Sequence, residues 1–395
     1  MLVLSETNQT KTIGSHLSTK KIFNLNIKEM RLIKLLQISR YKNLLFALIS
    51  LYFFIASIVF IKESIVLIGL EQVQNYISLI DDKLSGVFAG WFGTAFLQSS
   101  GAFDSIIVAF VSVGVMPISI AVSTIIGAEI GTTITTQLVS IVGYFRQERE
   151  RFRTSFLVAM LHYWYNFSTL IIFFSVEFFF GTFTIIAQAG SSYFSKIPVL
   201  NEIPSIFSLI TPWVDLILEH IPAWLGFIGG CLLLLLSLKN CEKFLSAAFA
   251  GEVAGSLIKS TFGSASKAFL AGVIFTILVP STSVMISMLI PLVTTGVIGT
   301  GYYILPYILG ANIGTVFDVM LAALATGNPA AIGVWLVHLA INIIGALIFL
   351  PIVRPFSDTV QNLNEFLTYS KKRTIIFLVI SNLVPLILLI VGILR

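Results

Sequence analysis

The sequence predicts an all-α polytopic membrane protein built from two inverted repeats. Each repeat is predicted to hold one spanning helix, a re-entrant hairpin and two more spanning helices, one of them broken, and a C-terminal spanning helix follows. Of the residues, 56% are hydrophobic and only 11% charged, with a mean hydropathy of +0.96, whereas about a quarter of residues in soluble domains are charged. A set of polar motifs that interrupts the apolar segments also occurs twice in the same order. Soluble enzymes, nucleic-acid-binding proteins and secreted disulfide-rich domains are excluded.

Seven apolar stretches are long enough to cross a hydrocarbon core of roughly 30 Å as helices. They lie near residues 43–68, 117–143, 154–180, 222–239, 302–326, 330–353 and 374–394. The segment before them, residues 1–42, is rich in Lys and Arg and contains no long apolar run. We expect a basic cytoplasmic tail there, and its stretch Lys28–Lys42 has the amphipathic pattern of a helix that lies on anionic membrane lipid.

Two further apolar stretches, residues 86–116 and 265–298, are interrupted at their centres by polar residues. The interruptions are QSSG at Gln98–Gly101, the first tip, and PSTS at Pro280–Ser283, the second tip. Each arm is then shorter than the roughly 20 residues that a crossing requires. Both stretches are therefore predicted to enter the membrane and return to the same side as re-entrant hairpins.

The distribution of positive charge supports this topology, because Lys and Arg concentrate in cytoplasmic loops. With the N-terminus inside and both hairpins re-entrant, all but four of the 24 basic residues fall on the inner side. The exceptions are Lys62, Lys83, Lys196 and Arg395. If the first hairpin crossed the membrane, the Arg-rich loop 144–153 would lie outside. We therefore expect a multi-pass protein of the cell membrane with a cytoplasmic N-terminus.

An internal repeat relates the two halves of the chain at an offset of 182 to 183 residues. The first tip matches the second, and GAEIGT at 127–132 matches GANIGT at 310–315. Three predicted crossings separate equivalent points, so the second half is expected to be upside down, as in many secondary transporters. The predicted regions are a cytoplasmic tail (1–42), the first repeat (43–180, hairpin 86–116), an extracellular or interfacial linker (181–221), the second repeat (222–353, hairpin 265–298), and a cytoplasmic loop with the final spanning helix (354–395).

The two tips contain the side chains expected of an anion site. Backbone that breaks a helix inside the membrane must be buried in protein or line a wet cavity. The helix that begins after each break offers free N–H groups and the positive end of its dipole. Candidates for binding an oxyanion are Gln98, Ser99, Ser100, Ser281, Thr282 and Ser283. The alternative is that the Ser and Thr residues only allow helices to pack closely.

The motifs GAEIGT and GANIGT place glycines on both sides of a polar side chain within spanning helices. A helix unwound there would expose carbonyl, hydroxyl and amide oxygens, which are hard ligands that suit Na⁺. In the second half, Asn312, Thr315 and Asp318 are candidate ligands. In the alternative interpretation the glycines permit a close helix crossing and the polar groups bond to neighbouring helices.

Three carboxylates, Asp104, Glu129 and Asp318, lie within apolar stretches, where each charge costs roughly 2.5–3.5 kcal/mol on insertion scales. Asp104 is one helical turn after Ser100 and therefore lies on the same helix face as the first tip. We expect these carboxylates to contact coupling cations, and the alternative is that they bind and release protons. Glu177 is nearer a helix end and is expected to lie in solvent.

Two pairs of polar residues occupy equivalent places in the repeats. His162 and Asn166 are four residues apart, as are His338 and Asn342, so each pair shares a helix face. No Cys or acidic residue is spaced with them as a metal site would require. We therefore expect these side chains to make polar contacts between helices.

The paired tips and the two GAxIGT motifs resemble those of the type II sodium/phosphate cotransporter family. In that family each of two inverted repeats has a QSSS tip followed by a G-N-I-G-T-type segment, G-A-N-I-G-T or G-S-N-I-G-T. The resemblance covers about residues 43–353. It implies Na⁺-driven uptake of inorganic phosphate, with Na⁺ as the coupling ion and no other cofactor. Phosphate would bind between the tips, and Thr132 and Thr133 would join Asn312 and Thr315 in the Na⁺ sites.

Four positions depart from that family pattern. Gly101 and Thr282 stand where Ser is expected, Pro280 where Gln is expected, and Glu129 where Asn is expected. Fewer donors and more carboxylates oppose a phosphate dianion unless cations neutralise the site. The alternatives are the same fold carrying another oxyanion or coupled to H⁺, a non-transporting scaffold, and an intramembrane hydrolase with a Ser nucleophile and His162 or His338 as its base.

Overall fold

The computed structural model describes residues 14–144, 149–197, 210–249, 261–299 and 301–394, and within these ranges the chain is helical and forms no strand. The helices of the first half are α1 (Gly14–Ile68), α2 (Leu70–Ile77), α3 (Lys83–Leu97), α4 (Ser100–Ser112), α5 (Ile118–Gly131), α6 (Thr133–Tyr144), α7 (Arg149–Phe180) and α8 (Thr182–Phe194). Those that follow are α9 (Thr211–Leu218), α10 (Ala223–Phe249), α11 (Ala265–Leu278), α12 (Thr282–Ser287), α13 (Leu289–Thr294), α14 (Ile304–Thr326), α15 (Pro329–Phe349), α16 (Val353–Thr368) and α17 (Lys371–Ile393). The predicted all-α class is confirmed.

Among the described residues, seven segments are long and apolar enough to cross a membrane. They are α1 from Ile38, α5 together with α6, α7, α10, α14, α15 and α17, which confirms all seven predicted spanning helices. The largest difference in a boundary is at α10, which continues to Phe249 instead of ending at residue 239. Hydropathy misses this extension because Asn240, Glu242 and Lys243 lower the mean hydropathy there.

Each stretch predicted to be a re-entrant hairpin consists of short apolar helices separated by a break at the predicted tip. The chain leaves α3 at the first tip and returns as α4, and it leaves α11 at the second tip and returns as α12 and α13. Ser99 and Ser281 are the N-caps of the returning helices, and both have extended backbone conformations. A serine hydroxyl at an N-cap accepts a hydrogen bond from an otherwise unpaired backbone N–H, so each break carries its own cap.

The predicted unwinding of the GAxIGT motifs is wrong for the second half, where GANIGT lies inside the continuous helix α14. In the first half the interruption is confined to Thr132, between α5 and α6. The glycines instead permit close crossings, as in the alternative interpretation. A Cβ on Gly127 would overlap the carbonyl oxygen of Val87, and a Cβ on Gly310 would overlap that of Phe269. Small residues at such crossings let two helix backbones approach each other.

The packing of helices repeats between the two halves. Helix α3 packs on α5 as α11 packs on α14. The helices that follow the tips pack on the opposite half of the chain: α4 packs on α14 and α12 packs on α6. The same exchange relates α8, which packs on α15, to α16, which packs on α7. Each half therefore completes its contacts with helices of the other half, and both tips reach the region where the halves meet.

The described part of the predicted linker region contains the helices α8 and α9. Helix α8 is not peripheral, because a Cβ on Gly333 of α15 would overlap the carbonyl oxygen of Ala187 in α8. The region after the second repeat likewise contains α16, whose Glu365 forms an ion pair with Arg153 of α7 at 2.7 Å. These contacts fix α8 against α15 and α16 against α7.

Gly127→Ala should destabilise the protein, because the added methyl group would force α3 and α5 apart. Overpacking of this kind costs about 1–3 kcal/mol, so we expect the melting temperature of the purified protein in detergent to fall by several degrees in differential scanning fluorimetry. Gly229→Ala in α10 is the matched control, because no atom lies within 4 Å of its added Cβ. Equal melting temperatures for the two variants would contradict the close crossing.

Candidate functional site

The two tips face one small cavity at the meeting of the halves. Its lining consists of Gln98, Ser99, Ser100, Gly101, Thr132, Glu242, Pro280, Ser281, Thr282, Ser283 and Thr315. All eight tip residues are among them, so the six candidate anion ligands surround a common space. Glu242 is the single charged residue of this lining, and it belongs to none of the repeated sequence motifs.

The first tip depends on an unusual backbone conformation at Gln98. With φ 56° and ψ 29°, it is the one residue other than glycine that has a positive φ among the described residues. Its N–H donates to the carbonyl oxygen of Thr94 at 2.8 Å, which ends α3, and Ser99 then accepts from the N–H of Ala102 at 3.2 Å. A left-handed conformation at a residue with a side chain is strained, and such residues concentrate at functional sites.

The second tip is tied to both GAxIGT helices. The Thr282 hydroxyl donates to the carbonyl oxygen of Ala311 at 3.3 Å, and the Ser283 hydroxyl donates to that of Thr132 at 3.1 Å. The second bond joins the two repeats directly. Ser281 caps α12 by accepting from the N–H of Val284 at 3.4 Å.

The lining suits an anion that is held by neutral donors. It offers hydroxyl groups from both tips, the side-chain amide of Gln98 and the N-terminal backbone of α4, and it contains neither Lys nor Arg. Neutral donors and the positive end of a helix dipole are sufficient to bind an oxyanion. The presence of Glu242 means that a dianion in this cavity would meet one carboxylate at close range.

Two of the four predicted Thr and Asn ligands for Na⁺ reach the cavity. Thr132 and Thr315, which are equivalent in the repeats, line it. Thr133 and Asn312 lie away from it: the Thr133 hydroxyl donates to the carbonyl oxygen of Ile130 at 2.8 Å, and the Asn312 amide donates to Asn166 Oδ1 at 2.9 Å.

Asp104 and Glu129 converge on His338 instead of on the cavity. The Oδ2 atom of Asp104 lies 3.5 Å from Nδ1 of His338, and Oε1 of Glu129 lies 2.6 Å from Nε2. Glu129 Oε1 also accepts from the amide of Asn342 at 3.1 Å. Sequence spacing could not reveal these partners, because the two carboxylates belong to α4 and α5 and the histidine belongs to α15.

The second half carries a neutral version of the same arrangement. Asn312, which is equivalent to Glu129, bonds to Asn166, and His162 has the Thr136 hydroxyl 3.4 Å from its Nδ1, whereas Glu129 bonds to both Asn342 and His338. The prediction that the His and Asn pairs make polar contacts between helices is confirmed. The departure of Glu129 from the family pattern therefore replaces one of two equivalent amides with a carboxylate that faces a histidine.

Asp318 accounts for a second departure, the glycine at the end of the first tip. A Cβ on Gly101 would overlap the carboxylate of Asp318, so Asp318 occupies the space that a side chain at position 101 would require. Asp318 Oδ1 accepts from the N–H of Val319 at 2.6 Å, while Oδ2 is buried without a hydrogen-bond partner among the described residues. A carboxylate of the second half thus lies against the first tip.

The expectation that Glu177 lies in solvent is wrong. Its side chain is fully buried, forms an ion pair with Lys83 at 2.7 Å, and accepts from the backbone N–H groups of Phe183 and Thr184 at 2.9 and 3.0 Å. The chain turns at Gly181, so α8 folds back over the end of α7 and Glu177 caps its first turn. The carboxylate therefore serves the packing of α8.

A sequence profile of the Na⁺/Pi-cotransporter family matches residues 53–193 and 233–369. The chain belongs to this family. The matched ranges contain both hairpins, both GAxIGT helices and every residue that lines the cavity. Family membership and the seven candidate spans establish a multi-pass membrane protein of a transporter family.

The sequence identity to individual relatives is low. The chain is 27% identical to sodium-dependent phosphate transport protein 2B of Homo sapiens over 409 aligned positions, covering 78% of this chain and 58% of the human protein. It is 25% identical to protein 2A of Rattus norvegicus, covering 76% of this chain and 60% of the rat protein. The uncharacterized protein YqeW of Bacillus subtilis is 23% identical, with 79% and 83% covered. The chain thus spans about three fifths of the length of the mammalian relatives, and no solved structure matches it significantly.

A double-mutant cycle tests the contact between Glu129 and His338. His338→Gln should lower the melting temperature strongly, because it leaves two buried carboxylates without their shared partner, and adding Glu129→Gln should recover part of that loss. Residues in direct contact typically show coupling of about 0.5–3 kcal/mol. His162→Gln is the control at the equivalent position, and it should cost less because its neighbours are uncharged. Strictly additive losses would show that the two side chains do not interact.

Proposed function

We propose that this protein is a secondary active transporter that couples the uptake of inorganic phosphate to Na⁺ by alternating access. The observation that carries the proposal is the cavity that both tips line, because a single anion site between two repeats is what alternating access requires. Membership of the Na⁺/Pi-cotransporter family and the names of the mammalian relatives support the same cargo and coupling ion.

In this proposal phosphate binds in the cavity between the tips. The ligands are Gln98, Ser99, Ser100, Ser281, Thr282 and Ser283, whose donors are hydroxyl groups, an amide and the backbone of the tips. The strain at Gln98 is consistent with this role, since it turns the tip so that α4 begins at the cavity. Phosphate would replace water at these donors without needing a basic side chain.

Na⁺ is proposed to bind beside the phosphate and to neutralise the carboxylates near it. Thr132 and Thr315 offer hydroxyl oxygens at the cavity wall, and Thr133 and Asn312 lie one layer behind them on the same helices. Asp318 brings an unpartnered carboxylate oxygen to the first tip. Hard oxygen ligands of this kind suit Na⁺. Asp104 and Glu129 complete the proposed set of residues that determine the ion dependence.

We further propose that the two halves are inverted repeats (43–180 and 222–353) and that the N-terminus is cytoplasmic. The exchange of packing partners between the halves supports a two-fold relationship, and the distribution of Lys and Arg supports the orientation. Transport would then involve movement of the hairpins, with the helices that they cross, against the remaining spanning helices.

Coupling to H⁺ is the second candidate. It is favoured by His338, whose two ring nitrogens face Asp104 and Glu129, a grouping that can hold a proton. The same geometry argues against the hydrolase alternative for His338, because both nitrogens face carboxylates and neither faces a serine hydroxyl.

Uptake of radiolabelled phosphate into proteoliposomes tests the proposal. An inward Na⁺ gradient should drive accumulation, and an equal choline gradient should not. Accumulation that follows an imposed pH gradient without Na⁺ would favour the second candidate. Absence of accumulation under either gradient would contradict a phosphate transporter.

Substitutions in either tip should lower uptake without loss of folded protein. Gln98→Ala and Ser100→Ala in the first tip and Ser281→Ala in the second each remove a group that faces the cavity. Losing one hydrogen bond to a charged ligand costs about 1.5–3 kcal/mol, so we expect phosphate affinity to fall roughly 10- to 100-fold. Ser195→Ala, which removes an exposed hydroxyl outside the site, is the control. Wild-type uptake kinetics in all three tip variants would refute the paired-tip site.

Neutral replacement of the three carboxylates should change the Na⁺ requirement. If Na⁺ neutralises them, Asp104→Asn, Glu129→Gln and Asp318→Asn should raise the Na⁺ concentration for half-maximal uptake, and a tenfold rise corresponds to about 1.4 kcal/mol of lost binding. If they carry protons, the pH dependence of uptake should flatten while the Na⁺ response stays unchanged. Variants that match the wild type in both responses would show that the carboxylates have a structural role only.

A further inference from the structure

Glu242 brings a carboxylate to the cavity from outside both tips. It belongs to α10, in the part of that helix beyond the predicted end at residue 239, and it lines the cavity together with Ser281 and Thr315. Neither the repeat nor the motifs point to it, because it lies in neither tip and in neither GAxIGT helix. Its position raises the question of what a negative group contributes to an anion site.

Glu242 lines the cavity beside the second tip, next to Ser281. Ser281 itself is fixed as the N-cap of α12, where it accepts from the N–H of Val284. No Lys, Arg or His nitrogen lies within 4 Å of the carboxylate in the part of the chain that the structure describes. The neighbouring Lys243 lies over the ring of Phe244 instead. Glu242 therefore lines the cavity without an ion pair among the described residues, and Lys239, one turn earlier in α10, is the positive charge that acts on it from a longer distance.

A carboxylate at this place distinguishes oxyanions that carry a hydrogen on one oxygen from oxyanions that carry none. An anion whose oxygens carry no hydrogen would be repelled by the Glu242 carboxylate. The repulsion costs about 4 kcal/mol for two like charges 4 Å apart near a protein surface. An anion that carries a hydrogen on one oxygen can donate it to the carboxylate in a strong, charge-assisted bond. Hydrogenphosphate carries such a hydrogen at neutral pH, and sulfate does not.

We propose that Glu242 is a specificity-determining residue that accepts the hydrogen of a P–OH group and thereby selects hydrogen-bearing oxyanions over fully ionised ones. The inference rests on the proposed phosphate site and adds to it a residue and a criterion for the cargo. Arsenate, which also retains a hydrogen, meets the criterion. The donors of the tips hold the other oxygens, and Glu242 provides a charged acceptor in the lining of the cavity.

Competition with radiolabelled phosphate in proteoliposomes at pH 8 tests the criterion on the wild-type protein. Fluorophosphate is the sharpest probe, because its dianion has the charge and nearly the shape of hydrogenphosphate but has fluorine in place of the hydroxyl group. A site built to bond a substrate hydroxyl rejects analogues that lack it by large factors. We expect fluorophosphate and sulfate to compete at least about 100-fold more weakly than phosphate, and arsenate to compete about equally. Fluorophosphate that competes as well as phosphate would overturn the proposal.

Glu242→Gln separates the role of the carboxylate from that of the tips. Phosphate should bind more weakly to this variant, because the neutral amide replaces a charged acceptor of the P–OH hydrogen. The amide can also donate to an ionised oxygen, so the preference for phosphate over sulfate and fluorophosphate should fall at least about tenfold. Glu219→Gln, an exposed residue of the same type, makes the same change in net charge and should keep the wild-type preference. An unchanged preference in Glu242→Gln, or a change confined to the Na⁺ requirement, would overturn the proposal.

The outcomes distinguish this inference from the proposed function. If the wild-type protein accumulates phosphate but fluorophosphate and sulfate compete equally well, Glu242 has no selective role and the transport proposal stands. If the wild-type protein accumulates no phosphate, the proposed function fails and this inference fails with it. The comparison of hydrogenphosphate with fluorophosphate needs no variant, so equal competition by the two anions overturns the inference even if Glu242→Gln does not fold.

Discussion

The structure depends on one constraint: backbone groups freed at a helix break deep in an apolar protein must find partners within the protein. Both tips meet it with the same device, a serine N-cap on the returning helix, and the second tip adds hydroxyl bonds from Thr282 and Ser283 to the GAxIGT helices. Those bonds require the second tip to lie against α14 and the C-terminal end of α5. The glycines of GAEIGT and GANIGT let α3 and α11 lie close to α5 and α14. The same two motifs therefore determine the packing of the helices and the walls of the cavity.

The exchange of partners between the halves brings the tips of two similar hairpins to one cavity. Because α4 packs on the second half and α12 packs on the first, neither tip has a complete environment within its own repeat. The repeats have nevertheless diverged in charge. Glu129 faces His338 where Asn312 faces neutral partners, and Asp318 fills the space above Gly101, so the carboxylates near the site are distributed asymmetrically around a symmetric framework.

Much of this architecture could be predicted from the sequence, because length, hydropathy and repetition report directly on spans and breaks. The seven spans and the two interruptions at QSSG and PSTS were predictable for that reason. Whether GANIGT is helical or unwound could not be predicted, because glycines occur both where a helix unwinds and where two helices pack closely. The contact of His338 with Asp104 and Glu129 joins three helices, and Glu242 resembles a loop charge in the sequence, so only the fold could reveal either of them.

The central claim is that the two tips form a single phosphate site. Equilibrium binding of radiolabelled phosphate to the purified protein in NaCl measures this most directly. The account predicts one phosphate per chain, with binding lost when NaCl is replaced by choline chloride and strongly weakened by a substitution in either tip alone. Two phosphates per chain, or undiminished binding when one tip is altered, would contradict it.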